Sequence, residues 1–162
     1  MAGLRFHESL RGGFYFLDAP TDERAIDVDL DIRLDGLRRF AKERTGTIVG
    51  RLTIDDFVAT EVEGRIGLAV VNQRRLPYEM SFTGPRRDGT NGEQVPYRLV
   101  GEKYVGLLDA AENVTYLPMS LYEVTGDPKK PLGREIARAT LRFDVRGDLR
   151  RTLKSLRPFW SL

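Results

Sequence analysis

The chain has 162 residues, 41% hydrophobic and 31% charged, which suits one globular domain able to bury its own core. It has no cysteine and one histidine, His7, so disulfides, thiolate chemistry and the usual zinc ligand sets are excluded, and a Ser-His-Asp triad is possible only through His7. The net charge of +2 comes from basic residues spread along the chain and does not point to a nucleic-acid partner. No apolar run reaches the length of a transmembrane segment, and "MAGLRFHESLRGG" lacks the apolar stretch of a secretory signal, so a cytoplasmic location is expected.

After an N-terminal segment, residues 1–13, "AIDVDLDIRL" alternates cleanly: Ile26, Val28, Leu30 and Ile32 on one face, Asp27, Asp29 and Asp31 on the other. One face is dry and one wet. The three aspartates read as a solvated face, because carboxylates at alternate strand positions do not wrap an ion as a calcium loop does. "DGLRRFAKER" follows, with Leu37 and Phe40 at the spacing of a short helix.

"TGTIVGRLTI" puts Ile48, Gly50, Leu52 and Ile54 on one face. "FVATEVEGRIGLAVV" carries the dry row Val58, Thr60, Val62, Gly64, Ile66, Leu68 and Val70, with Gly64 and Gly67 allowing a bend. "LPYEMSFTG" aligns Tyr78, Met80 and Phe82, "PRRDGTNGEQ" is rich in turn residues, and "VPYRLVGEKYVG" is the returning strand.

"TYLPMSLYEV" alternates Leu117, Met119 and Leu121 with Tyr116, Ser120 and Tyr122, and Pro118 makes it an edge or bulged strand. "GDPKKPLG" is another turn. "REIARATLRFDV" sets Ala137, Ala139, Leu141, Phe143 and Val145 on one face. "RGDLRRTLKSLR", residues 146–157, spaces Leu149, Leu153 and Leu156 as an amphipathic helix with a basic face. Residues 158–162, "PFWSL", form an aromatic tail in which Phe159 and Trp160 either cover a barrel mouth or dock a partner.

Seven or eight strands joined by short turns, each with one dry face, predict an all-β fold: a single antiparallel β-barrel over residues 1–162, lipocalin-like, with one short internal helix and one C-terminal helix. Glycines and alanines in the inward rows (Gly50, Gly64, Gly101, Ala137, Ala139) suggest internal space.

Four stretches, in order, resemble a β-rich, barrel-like domain associated with glucose-methanol-choline (GMC)-type, cholesterol-oxidase-like flavin oxidoreductases. "FHESLRG" resembles its F-x-E-x-M/L-x-G signature. "LPYEMSF", "YRLVGEKYV" and "VTYLPMSLYEV" are similar to three of its strands, and "ATLRFDVRGDLRRTLKSL" to its closing strand and helix. No G-x-G-x-x-G of a flavin-binding part occurs in this sequence, so a stand-alone copy of the domain is expected. The "D-T-T" core of the family's strand is replaced by Thr115 to Ser120 with an inserted proline. The resemblance implies a barrel that holds or delivers lipid-like molecules beside an oxidoreductase.

Within "VPYRLVGEKYV", Tyr97, Leu99, Gly101 and Lys103 share the inward row. A buried ammonium needs a partner. Glu8 is the expected one, because the two residues lie in the two motifs that carry the resemblance. Such a pair either locks the N-terminal segment onto the barrel or serves chemistry, the lock being the weightier reading. His7 is a second acid–base candidate, although a lone histidine is more often a surface residue. Tyr78, Met80, Phe82, Tyr97, Leu99, Lys103 and Met119, joined by Tyr116 and Tyr122, are expected to line a cavity, with Lys103, Tyr78 or Tyr97 orienting the polar end of an apolar ligand.

The leading expectation is binding of a hydrophobic small molecule (a lipid, sterol or polyketide-like compound) with no cofactor and no metal. The alternatives are a cofactor-independent isomerase or cyclase using Glu8, Lys103 or His7, and an interaction module partnering a flavin oxidoreductase.

Overall fold

The structure, a computed structural model, describes residues 2–34, 44–67, 75–88, 92–104, 114–144 and 157–160. Alternation of apolar and polar residues builds β1 (Ala2–Phe16), β2 (Arg24–Leu34), β3 (Thr45–Ile54), β4 (Val58–Gly67), β5 (Arg75–Pro85), β6 (Gln94–Tyr104), β7 (Val114–Glu123) and β8 (Arg134–Asp144). Each pairs antiparallel with the next, and β8 pairs back onto β1 through Arg11↔Arg142 to Phe16↔Ala137. Eight strands therefore close into an up-and-down barrel, which removes the exposed edges that an open sheet has to protect. A short β9 (Arg157–Trp160) lies on the first residues of β1, from Ala2↔Trp160 to Arg5↔Arg157.

The expected antiparallel barrel is present. Through the N-terminal segment, β1 bonds to β2 along eleven residue pairs, from Leu4↔Leu34 to Phe14↔Arg24. Of the tail, Phe159 pairs with Gly3 and Trp160 with Ala2 in the β1–β9 ladder. The expected helices at 35–44 and 146–157 fall outside the described residues, apart from their last residues. Of these, Arg44 is left-handed with φ 49° and Arg157 opens β9. No helix among the described residues is long and apolar enough to cross a membrane.

The inward rows are those of the period-two reading. Ile26, Val28, Leu30 and Ile32 face Ile48, Leu52 and Ile54 across one ladder, and the core continues round through Val62, Met80, Leu99, Leu121 and Leu141. The inward glycines do not mark empty space. A Cβ on Gly50 would strike the Asp29 carbonyl, and one on Gly64 the Glu79 carbonyl. They let neighbouring strands coil tightly enough to close a small barrel.

Connections 17–23, 55–57 and 124–133, with residues 86–88 and 92–93 between β5 and β6, lie at one end of the barrel, here the turn end. The β3–β4 turn is tightest: Asp55 takes φ 26°, and its carboxylate accepts from the Ala25 amide at 2.9 Å. That brings Phe57 back over the interior, where it packs at 5.0 Å edge-on to Phe16 and at 6.1 Å to Tyr97. With Phe14 and Phe82 these rings plug the turn end.

Candidate functional site

Towards the opposite end, where β2, β4, β6 and β8 finish, the interior changes character. Glu8 on β1, Tyr78 on β5 and Lys103 on β6 all point inward and are 4%, 1% and 7% exposed. The Lys103 ammonium donates to Glu8 Oε1 at 2.5 Å, and the Tyr78 hydroxyl donates to Oε2 at 2.8 Å. Both carboxylate oxygens are thus satisfied, as a buried charge requires. Lys103 Nζ also lies 3.9 Å from the centroid of the Phe143 ring, a cation–π contact from β8. Burial, followed by the neighbouring Glu8 charge, pushes the Tyr78 phenol well above its ordinary range, so it stays protonated as a donor.

Strand register makes this cluster. Tyr78 pairs with Gly101, two residues before Lys103, so phenol and ammonium share one stretch of the β5–β6 wall. Glu8 comes from the strand that closes the barrel, opposite Leu30 of β2. The wall is also less tightly tied here. The β6–β7 ladder stops at Gly101↔Met119, next to Pro118, which has no N–H to give. The β1–β8 ladder stops at Arg11↔Arg142, short of Glu8. β7 and β8 stay paired with each other as far as Val114↔Asp144, with a bulge at Leu121/Tyr122. The far part of that hairpin, bearing Leu117 and Phe143, therefore lies beyond the ladders to β6 and β1.

The expected Glu8–Lys103 pair is formed. Of the expected cavity residues, Met80, Leu99 and Met119 are buried on the interior wall between the two ends. Phe82 and Tyr97 belong instead to the aromatic plug, with ring centroids 5.4 Å apart. The Tyr97 hydroxyl donates to the Pro85 carbonyl at 2.8 Å, so it is spent at the turn end and does not join Lys103. Tyr116 is 51% exposed on the outer face, and Tyr122 also lies in the outward row.

His7 is on the outside, because consecutive strand residues face opposite ways. Its Nε2 is 3.2 Å from Ser9 Oγ, but Ser9 gives its proton to Asp29 Oδ1 at 2.6 Å, so this is not a nucleophile–base arrangement. Asp31 pairs with Arg5 at 2.9 Å and Asp27 with Arg11 at 3.1 Å, which makes the acidic face of β2 a salt-bridged outer surface.

A second buried carboxylate, Glu123, has Arg134 Nη2 at 3.3 Å and Arg86 Nε at 3.5 Å at the turn end. An open depression of about 460 Å³ lies over the plug, walled by Arg24, Arg86 and Arg87 and by Asp18, Asp56 and Asp88. Arg87 stacks 3.5 Å above Phe16 and pairs with Asp18, and Arg24 bridges Asp22 and Asp56. Those arginines are neutralised by their own acids and cap the aromatic plug.

Set against known proteins, the chain matches no protein-family model, no curated protein and no solved structure.

Proposed function

We propose that the barrel binds a hydrophobic small molecule in the half that holds Glu8, Tyr78 and Lys103. The observation that carries this reading is a hydrogen-bonded polar cluster set among apolar inward residues, at the end opposite the aromatic plug. An apolar lining with a few convergent polar groups is the usual make-up of a small-molecule site. An eight-stranded barrel is about wide enough for side chains or for one small ligand. The two motifs "FHESLRG" and "YRLVGEKYV", which carry the resemblance to the GMC-associated domain, supply Glu8 and Lys103. A flavin oxidoreductase is accordingly the partner class to test by co-purification.

One observation favours a second reading, a cofactor-independent isomerase. The Tyr78 hydroxyl and Lys103 ammonium converge on one carboxylate, a ready proton relay. Native mass spectrometry of the folded protein with a panel of lipids, sterols and polyketide-like compounds tests the binding reading. Retention of an apolar compound, lost in the Glu8→Gln/Lys103→Met double variant, is expected. A folded protein that retains none of them refutes it.

A further inference from the structure

The charge count of the interior cluster selects the class of ligand, an inference that rests on the binding reading above. Glu8 and Lys103 are one acid and one base in contact, and Tyr78 is held neutral by burial. Whichever of the pair holds the shared proton, the three side chains sum to zero. We infer that the barrel selects uncharged amphiphiles, alcohols or carbonyl compounds with an apolar tail, and rejects the corresponding carboxylates and amines.

The argument is one of compensation. A carboxylate ligand drawn to Lys103 has to share that ammonium with Glu8, leaving two anions on one cation in a low-dielectric interior. A protonated amine drawn to Glu8 meets Lys103 in the same way. Either leaves a buried charge without a counterpart, and such charges are strongly disfavoured.

A neutral head group meets no such penalty, and the cluster has the valences to receive it. An ammonium has three N–H donors. Among the described residues one goes to Glu8, and the Phe143 ring takes the cation face-on. A donor remains for a carbonyl or hydroxyl oxygen. The Tyr78 oxygen donates its proton to Glu8 and keeps lone pairs that accept from a ligand hydroxyl. The site thus offers one donor and one acceptor side by side, with no net charge.

The experiment ranks four ligands of equal chain length, dodecanol, methyl laurate, laurate and dodecylamine, by displacement of the neutral dye N-phenyl-naphthylamine from the wild-type protein. Dodecanol and methyl laurate are expected to bind at least about a hundredfold tighter than laurate and dodecylamine. Glu8→Gln, which leaves Lys103 alone, is expected to move laurate ahead of dodecylamine. Lys103→Met, which leaves Glu8 alone, is expected to do the reverse. The wild-type ranking decides even where a variant loses stability. Laurate binding as tightly as dodecanol overturns the inference and leaves the binding reading standing. A folded wild type that takes up none of the four, and none of the sterols or polyketide-like compounds of the panel above, removes both.

Discussion

At the turn end the inward rows carry Phe14, Phe16, Phe82 and Tyr97, and Phe57 folds over them from the tight β3–β4 turn. At the other end the equivalent rows carry Glu8, Tyr78 and Lys103, and the ladders that join β7 to β6 and β8 to β1 stop short. One end is closed by packed rings, and its polar groups are answered at the margin, the Tyr97 hydroxyl by the Pro85 carbonyl and Glu123 by Arg134 and Arg86. The other holds charges that stay buried only because each satisfies the next. The same period-two alternation produced both, so sidedness alone does not tell a sealing residue from a site residue. What separates them is where the demand of an inward polar group is met: at the plug by backbone and by arginines in or next to the connecting turns, and at the other end by inward side chains on three different strands.

The sharpest test of that contrast sets a rescuable loss against one that is not. Glu8→Gln is expected to cost ~3–5 kcal/mol in urea unfolding, because it strands Lys103. Adding Lys103→Met to it is expected to recover most of the loss, since replacing a whole buried pair is often near neutral. Phe14→Ala at the plugged end is expected to cost a similar ~3–5 kcal/mol through a cavity, and no second truncation there restores it. Additive losses in the Glu8/Lys103 double variant contradict the account of the cluster as one charge-compensated unit.

The barrel itself was legible because each strand alternates without interruption from Ile26 to Ile32 and from Ala137 to Phe143. β1 was not. Its alternation is broken by Gly12 and Gly13, and only the pairings to both β2 and β8 reveal it as a wall strand. Lys103 and Glu8 were legible as polar intruders in motifs that carried a resemblance. Glu123 was an equal intruder, next in the row after Leu117, Met119 and Leu121, and continuing the count by two would have found it. Tyr78 reads in the sequence as a lining residue and one of three candidates for orienting a ligand's polar end. Its place beside Lys103 depends on the pairing of β5 with β6, a long-range register that starts from the bond of Arg86 N to the Glu93 carbonyl and is not read from one strand alone. The inward glycines suggested space because sequence does not show how closely the neighbouring backbone approaches.

A smaller effect is expected from Gly64→Ala. Its Cβ would meet the Glu79 carbonyl and Met80 Cα in β5, where the β4–β5 ladder is short, running only from Glu63↔Ser81 to Ile66↔Tyr78. Moving that backbone is expected to cost ~1–3 kcal/mol. It also displaces Tyr78, so the variant is expected to weaken ligand uptake along with stability. Full ligand uptake by a destabilised Gly64→Ala protein contradicts the link between the glycine contacts and the cluster.

The smallest effect separates the two phenols, one at each end. Tyr97 is pushed up from its ordinary value of 10.0 to about 12, by burial first and then by the Glu123 charge. A phenol whose folded value is raised binds its proton more tightly in the folded chain than in the unfolded one. Its contribution is therefore whole below pH 10.0 and is lost as pH rises toward about 12. Tyr97→Phe removes the hydrogen bond to the Pro85 carbonyl, which costs about 1 kcal/mol at neutral pH. The same change removes the titrating group, so the variant is expected to lose less stability than the wild type across that alkaline window. Tyr78→Phe shares the alkaline benefit, because the Tyr78 phenol is raised in the same direction, but it also frees one oxygen of the buried Glu8 carboxylate. It is therefore expected to cost more at neutral pH, and to change ligand preference where Tyr97→Phe does not. Parallel unfolding curves at neutral and alkaline pH, with dye displacement on both variants, measure this. Equal behaviour of the two would mean that the ends of the barrel do not differ in the way their side chains indicate.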